Sequence, residues 1–156
     1  MRRNPFQLLF FIIICLSIGW LGSLATRSSL TGWYAGLQKP PFNPPNGIFA
    51  PVWTFLYILM AIAGWRIWSH PFPGRGRLRL LFVAQLFLNG VWSFLFFGLH
   101  NPAIGLADIL LLWIFLCILI RSAWQLERTT ALLLTPYILW VSFAAYLNVG
   151  LWWLNR

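Results

Sequence analysis

Five long apolar runs, at residues 6–25, 51–68, 80–99, 102–120 and 131–154, govern what this chain can become. Each is about 20 residues, the helix length that crosses a hydrocarbon core of about 30 Å. Hydrophobic residues make up 60% of the 156 and charged residues 8%, more apolar surface than a water-soluble fold of this size could cover. The sequence predicts an all-α membrane protein: one bundle of five transmembrane helices, with no soluble domain of any size.

The formal net charge of +9 does not point to nucleic acid, because the basic residues lie between the apolar runs rather than on an amphipathic or aromatic-interleaved soluble segment. Sorted by side, Arg2, Arg3, Arg66, Arg75, Arg77, Arg79, Arg121 and Arg128 fall together, and Arg27, Lys39 and Arg156 fall opposite. The positive-inside rule then puts the N-terminus in the cytoplasm and the C-terminus outside. The opening Met1-Arg2-Arg3, an apolar run and Ser23-Leu24-Ala25 also fit a cleavable leader, but the run exceeds the usual h-region and reads as a span. Cys15 and Cys117 both lie within spans and read as small packing residues.

Short connections at 69–79, 100–101 and 121–130 imply antiparallel neighbours in a compact bundle. Asn101-Pro102 is a helix start, cap followed by a proline at the first position, and Pro51 is expected to start its helix in the same way. The connection 26–50 differs: long, proline-stiffened and aromatic, with Trp33, Tyr34, Leu37, Lys39, Pro44 and Pro45. It reads as an ordered lid over one mouth of the bundle.

Conventional catalytic parts are few. Asp108 and Glu127 are the only acids, and His70 and His100, both in loops, the only histidines. No metal cluster, carboxylate pair, nucleophile triad or phosphate loop can be assembled from them, and no resident cofactor is required. Asp108, near the start of its helix, reads as an interfacial or structural acid.

Tryptophan is abundant instead, with 11 in the chain. Trp65, Trp68, Trp124, Trp152 and Trp153 lie at span ends, where an interfacial belt belongs. Trp92, Trp113 and Trp140 lie mid-span, where an indole N–H needs a partner or a cavity. Gln85, Asn89, Trp92 and Phe96 share one face of the third span. Trp53 and Tyr57 share a face of the second, and Trp140, Ala144 and Asn148 a face of the fifth, in which Pro136 removes the bond to the Leu132 carbonyl. Two readings fit this spacing equally: amides as interhelical glue among packed indoles, or a cavity with flat aromatic walls for a planar ligand. Gly19 with Ser23, and Ala103 with Ala107, have the small-xxx-small spacing that permits close helix contact or a dimer.

The run Trp33-Tyr34-x-x-Leu37-x-Lys39-Pro40, with Pro44-Pro45 and Phe49-x-Pro51-Val52-Trp53-x-x-Leu56-Tyr57, resembles the first loop and second helix of the TspO and mitochondrial benzodiazepine receptor family. The resemblance continues through Asn89-x-x-Trp92-x-x-x-Phe96-Phe97, Asp108 with Leu112-Trp113, Thr135-Pro136-Tyr137-x-x-Trp140 and Phe143-Ala144-x-x-Leu147-Asn148, nearly the whole chain. It implies a five-helix bundle, commonly a homodimer, that binds protoporphyrin IX or related tetrapyrroles and aromatic drug-like ligands beneath the first loop. Carried over, the pocket would use Tyr34, Trp53, Tyr57, Asn89, Trp92, Phe96, Trp140, Ala144 and Asn148, which overlap the faces above. Lys39 or Arg27 would attract the carboxylates of the macrocycle.

Alternative activities implied by the resemblance are light- and oxygen-dependent porphyrin degradation, with Trp53 and Trp140 as redox partners, and porphyrin or sterol transport. Sterol is not the expected ligand, because Tyr146 lacks a basic residue within five positions; the Leu30, Tyr34, Lys39 pattern in the first loop is weak. No inverted repeat or broken helix pair marks a transport path.

Overall fold

The computed structural model describes residues 5–71 and 73–156, and the regular structure among them is helical. Helix α1 runs Pro5–Leu30, α2 is one turn at Trp33–Gly36, and a 3₁₀ turn at Asn46–Ile48 leads into α3, Phe49–Ser69. Helix α4, Arg75–Ser93, continues into a π-helical turn at Phe94–Gly98, followed by α5, Pro102–Leu126, and α6, Arg128–Leu154. Among the described residues five segments are long and apolar enough to cross a membrane: Pro5–Leu30, Asn46–Ser69, Arg75–Gly98, Pro102–Leu126 and Arg128–Leu154.

Several expected boundaries move outward, because a helix does not stop where the apolar run stops. Helix α1 passes the expected end at residue 25, since its last polar residues find acceptors close by: Thr26 Oγ1 donates to Gly22 O at 3.0 Å, and Ser29 Oγ to Phe97 O at 2.8 Å. Helix α4 starts at Arg75 rather than residue 80, after Gly74 turns the chain at φ +80°. The connection 121–130 shrinks to Glu127, which ends α5 and caps α6 by accepting from Thr130 N at 2.7 Å. Pro51 lies in the first turn of α3 instead of starting it, and α6 is continuous through Pro136. The Asn101 cap is as expected, its Oδ1 accepting from Ala103 N and Ile104 N at 3.1 Å.

Around the bundle the order is α1, α3, α6, α5, α4, closed by α4 against α1. Chain order alone does not give this ring: α3 and α6, distant in sequence, pack side by side, while the sequential pair α3 and α4 meet less extensively. Side-chain bonds define the two ends. At one, Ser69 Oγ donates to Gln7 Oε1 at 2.8 Å, and Arg66 pairs with Glu127 at 2.5 Å. Arg66, Arg75, Arg77, Arg79, Arg121 and Arg128 belong to helix termini of that end, as the charge sorting expects. Arg2 and Arg3 lie outside the described residues. At the other, Asn148 Nδ2 donates to Pro102 O at 2.7 Å, and Gln38 exchanges backbone bonds with the Asn155 amide at 2.9 Å each.

A core of Met60, Phe82, Leu112, Leu116, Leu134 and Tyr137, each under 2% exposed, fills the bundle. Cys15 packs in it as expected. Trp65 departs from the belt reading: it is 8% exposed and belongs to this core. Trp124 and Trp153 are exposed at helix ends with Arg128 and Arg156 over their rings at 4.5 and 3.4 Å, a cation–π arrangement suited to an interface.

Candidate ligand-binding pocket

A cavity of about 460 Å³ occupies the half of the bundle that carries the first loop, between α1, α3, α4 and α6. All nine residues expected to form a pocket line it. Tyr34 stands at its top, Trp53 and Tyr57 come from α3, and Asn89, Trp92 and Phe96 come from α4 and the π-turn. Trp140, Ala144 and Asn148 make up most of the α6 wall.

Their positions follow from local packing. Trp53 meets Tyr57 at 5.6 Å between centroids and Tyr137 edge-on at 6.2 Å, while Phe49 closes on Trp140 at 6.0 Å, so the seam between α3 and α6 is filled by rings. Trp92 stacks on Phe96 at 5.2 Å and donates Nε1–H to Asn148 Oδ1 at 3.3 Å. Tyr57 Oη donates to Asn89 Oδ1 at 2.6 Å. Asn89 and Asn148 therefore both join helices and line the space. Trp140 Nε1 is buried with no acceptor among the described residues.

The sequence pattern missed Phe97, Leu151 and the α1 wall, Leu16 to Leu30. Phe97 is hidden by periodicity: the wider π-turn buries Phe96 and Phe97 together, at 1% and 8% exposure, where a 3.6-residue repeat keeps only the first. Glycine and serine spacing in α1 was the available signal. Gly19 and Ser23 line the cavity, so this pair serves contacts within the chain, whereas Ala103 and Ala107 are exposed on α5.

The expected lid residues hold the roof without lining the cavity. Trp33 stacks on His100 at 4.8 Å and meets Phe96 edge-on at 5.6 Å; Leu37 packs against the cluster of Tyr34, Phe96, Phe97 and Leu151. Burial raises the Tyr34 phenol pKa, against the pull of its hydrogen bond to Asn43. Pro44 and Pro45 lead into the 3₁₀ turn, where Asn46 reaches the cavity. Lys39 takes a different position from the one expected at the mouth: its Nζ donates to Tyr34 O, Ala35 O and Leu37 O at 3.1 to 3.4 Å, capping the end of α2. Arg27 does line the cavity and is the single charged lining residue among the described residues.

Other mid-span groups lie elsewhere. Trp113 is 39% exposed on the outside of the bundle, its Nε1 donating to Ser142 Oγ at 2.9 Å. Asp108 is 8% exposed inside the bundle, and its Oδ2 has no partner among the described residues. Neither His70 nor His100 lines the cavity.

Five helices long and apolar enough to cross a membrane, four of them closed around an aromatic, amide-bearing cavity, define an integral, multi-pass membrane protein. Residues 11–154 match the model of the TspO/MBR family, and the chain belongs to that family. It is 42% identical to tryptophan-rich protein TspO of Archaeoglobus fulgidus, over 97% of this chain and 99% of that one. It is 38% identical to the translocator protein of Bos taurus, over 88% and 83%, and 33% identical to a tryptophan-rich sensory protein of Cereibacter sphaeroides, over 90% and 85%.

Proposed function

We propose that this protein binds a tetrapyrrole of the protoporphyrin or haem type within the membrane and acts as a sensor or regulator. The observation that carries the reading is the convergence of Trp53, Trp92, Phe96 and Trp140, from three helices, on one cavity of about 460 Å³. Flat aromatic walls favour a flat aromatic ligand, each ring contact adding about 0.5–1.5 kcal/mol beyond burial. Arg27 supplies a cation for a propionate carboxylate. The sensory name of the C. sphaeroides relative accords with a regulatory role. The reading includes a homodimer, and an N-terminus on the cytoplasmic side from the basic residues gathered at the Arg66 end.

Titration of the purified protein with protoporphyrin IX, followed by tryptophan quenching in darkness, tests it. Saturable quenching that weakens in Trp53→Phe/Trp140→Phe is expected; no saturation, or identical quenching in the double variant, contradicts the assignment. Repeating the titration under light separates the alternative: porphyrin loss beyond one equivalent per chain makes the protein a degrading enzyme.

A further inference from the structure

The cavity has one side that is not sealed. Helix α1 closes tightly on α4 at cavity level: a Cβ on Gly22 would meet Ser93 Oγ at 3.0 Å, and Ser29 Oγ donates to Phe97 O at 2.8 Å. Aromatic rings fill the seam of α3 with α6, and the Trp92–Asn148 bond joins α4 to α6. The lining residues of α4, the π-turn and α6 are all buried or half-buried.

The exposed lining residues lie elsewhere: Trp20 and Arg27 on α1, Asn46 in the 3₁₀ turn, and Ala50 and Thr54 at the start of α3. All five flank the seam between α1 and α3. Lower down that seam is shut, because Gly19 lies against the Tyr57 ring, where an added Cβ would come within 2.7 Å of Cδ2. Above this contact lie the exposed lining residues of the two helices, and the stretch they flank is the α1–α3 slit. Trp20, 60% exposed, stands about 15 Å along the helix axis from Leu30, the last residue of α1, which places it within the hydrocarbon region. Arg27 and Asn46 stand at the slit's upper end, beside the first loop.

We infer that the α1–α3 slit is a lateral portal through which an anionic, planar amphiphile passes between the bilayer and the cavity. Its apolar body travels in the hydrocarbon past Trp20 and Thr54, while its carboxylate stays level with Arg27 and Asn46, near the interface. Neither acid of the chain, Asp108 or Glu127, lines the cavity, so the Arg27 charge faces a wall without acidic compensation. Roofed by the first loop and walled by α4 and α6, the cavity is approached from the membrane rather than from water. The inference rests on the tetrapyrrole reading of the same cavity.

Stopped-flow transfer of protoporphyrin IX from loaded phosphatidylcholine vesicles to the full chain reconstituted in acceptor vesicles tests the portal. Leu24, 46% exposed on the same face of α1 between Trp20 and Arg27 and not itself lining the cavity, is replaced in Leu24→Cys/Cys117→Ala and alkylated with a bulky, bilayer-soluble maleimide; Cys15, at 0% exposure, is out of its reach. Association and dissociation are both expected to slow about tenfold, with Kd changed less than about twofold, and Trp20→Ala is expected to speed both. The same label on Leu139→Cys/Cys117→Ala, 65% exposed on the outside of α6, should leave the rates alone. Saturable binding at unchanged rates in the Leu24-labelled protein, or equal slowing from the Leu139 label, overturns the portal and leaves the binding assignment standing. No saturable binding by the unlabelled wild type overturns the binding assignment, and the portal with it.

Discussion

Gly19 of α1 lies flat against the ring of Tyr57 of α3, so closely that an alanine methyl there would overlap the ring edge. The ring cannot retreat freely, because its hydroxyl is bonded to Asn89 at 2.6 Å. Gly19→Ala is therefore expected to push α1 and α3 apart or break the Tyr57–Asn89 bond. Either outcome costs about 1–3 kcal/mol, read as a lower midpoint in unfolding from mixed micelles. Tyr57→Phe, which removes only the bond, should cost less, about 1 kcal/mol.

At the opposite end of the bundle, Glu127 joins three elements. It accepts from Arg66 Nε at 3.2 Å and Nη2 at 2.5 Å, from Thr130 N at 2.7 Å, and from the Thr130 hydroxyl. Burial opposes ionisation of the carboxyl, but the bonds from Arg66 and Thr130 outweigh it and hold the pKa at about 2, below the ordinary 4.5. A depressed carboxylate pKa stabilises the fold fully above about 4.5, and that stabilisation fades as pH falls towards about 2. Glu127→Gln should lower stability by about 1–3 kcal/mol at pH 7. The gap from wild type should close across that acid window, as followed by unfolding at stepped pH.

Arg27 makes a prediction about ligand chemistry. As the single charged lining residue among the described residues, it should distinguish a free porphyrin acid from its ester. Arg27→Gln is expected to weaken protoporphyrin IX by about tenfold, the loss of one charge-assisted hydrogen bond of about 1.5 kcal/mol, and to leave the dimethyl ester nearly unaffected. Fluorescence titration of both ligands checks this.

The roof is anchored to α6 by Asn155, which both accepts from and donates to the Gln38 backbone, and by Tyr146 Oη donating to Pro41 O at 3.1 Å. Asn155→Ala should raise hydrogen exchange across residues 37–43 by about tenfold, with the helices unchanged, since loop opening is local. Mass-detected exchange reads both regions at once.

The five spans were legible because a bilayer imposes a length that few other folds need, and the walls because helical spacing gathers Asn89, Trp92 and Phe96, or Trp140, Ala144 and Asn148, on one face. Helix ends were less legible. Arg75, Arg77 and Arg79, or Arg27 and Ser29, look like loop when hydropathy is the only guide, yet helices continue beyond the apolar run wherever backbone or side-chain acceptors allow. The ring order was hidden, since nothing in a single sequence pairs α3 with α6. Trp65 and Trp124 occupy equivalent places at span ends, and only packing makes one core and the other surface. Lys39 carried charge that suited a mouth, but the three carbonyls at the end of α2 were nearer.

The most direct test of the binding assignment fills the cavity without touching its polar groups. Ala144 lines it from α6 and is half-buried, so Ala144→Phe should occupy the space where a macrocycle would lie. Calorimetric titration with protoporphyrin IX is expected to give one site per chain in the wild type. In Ala144→Phe at an unchanged Tm, affinity should fall by at least about tenfold. Equal affinity and stoichiometry in the two proteins would place the ligand somewhere other than this cavity and contradict the account.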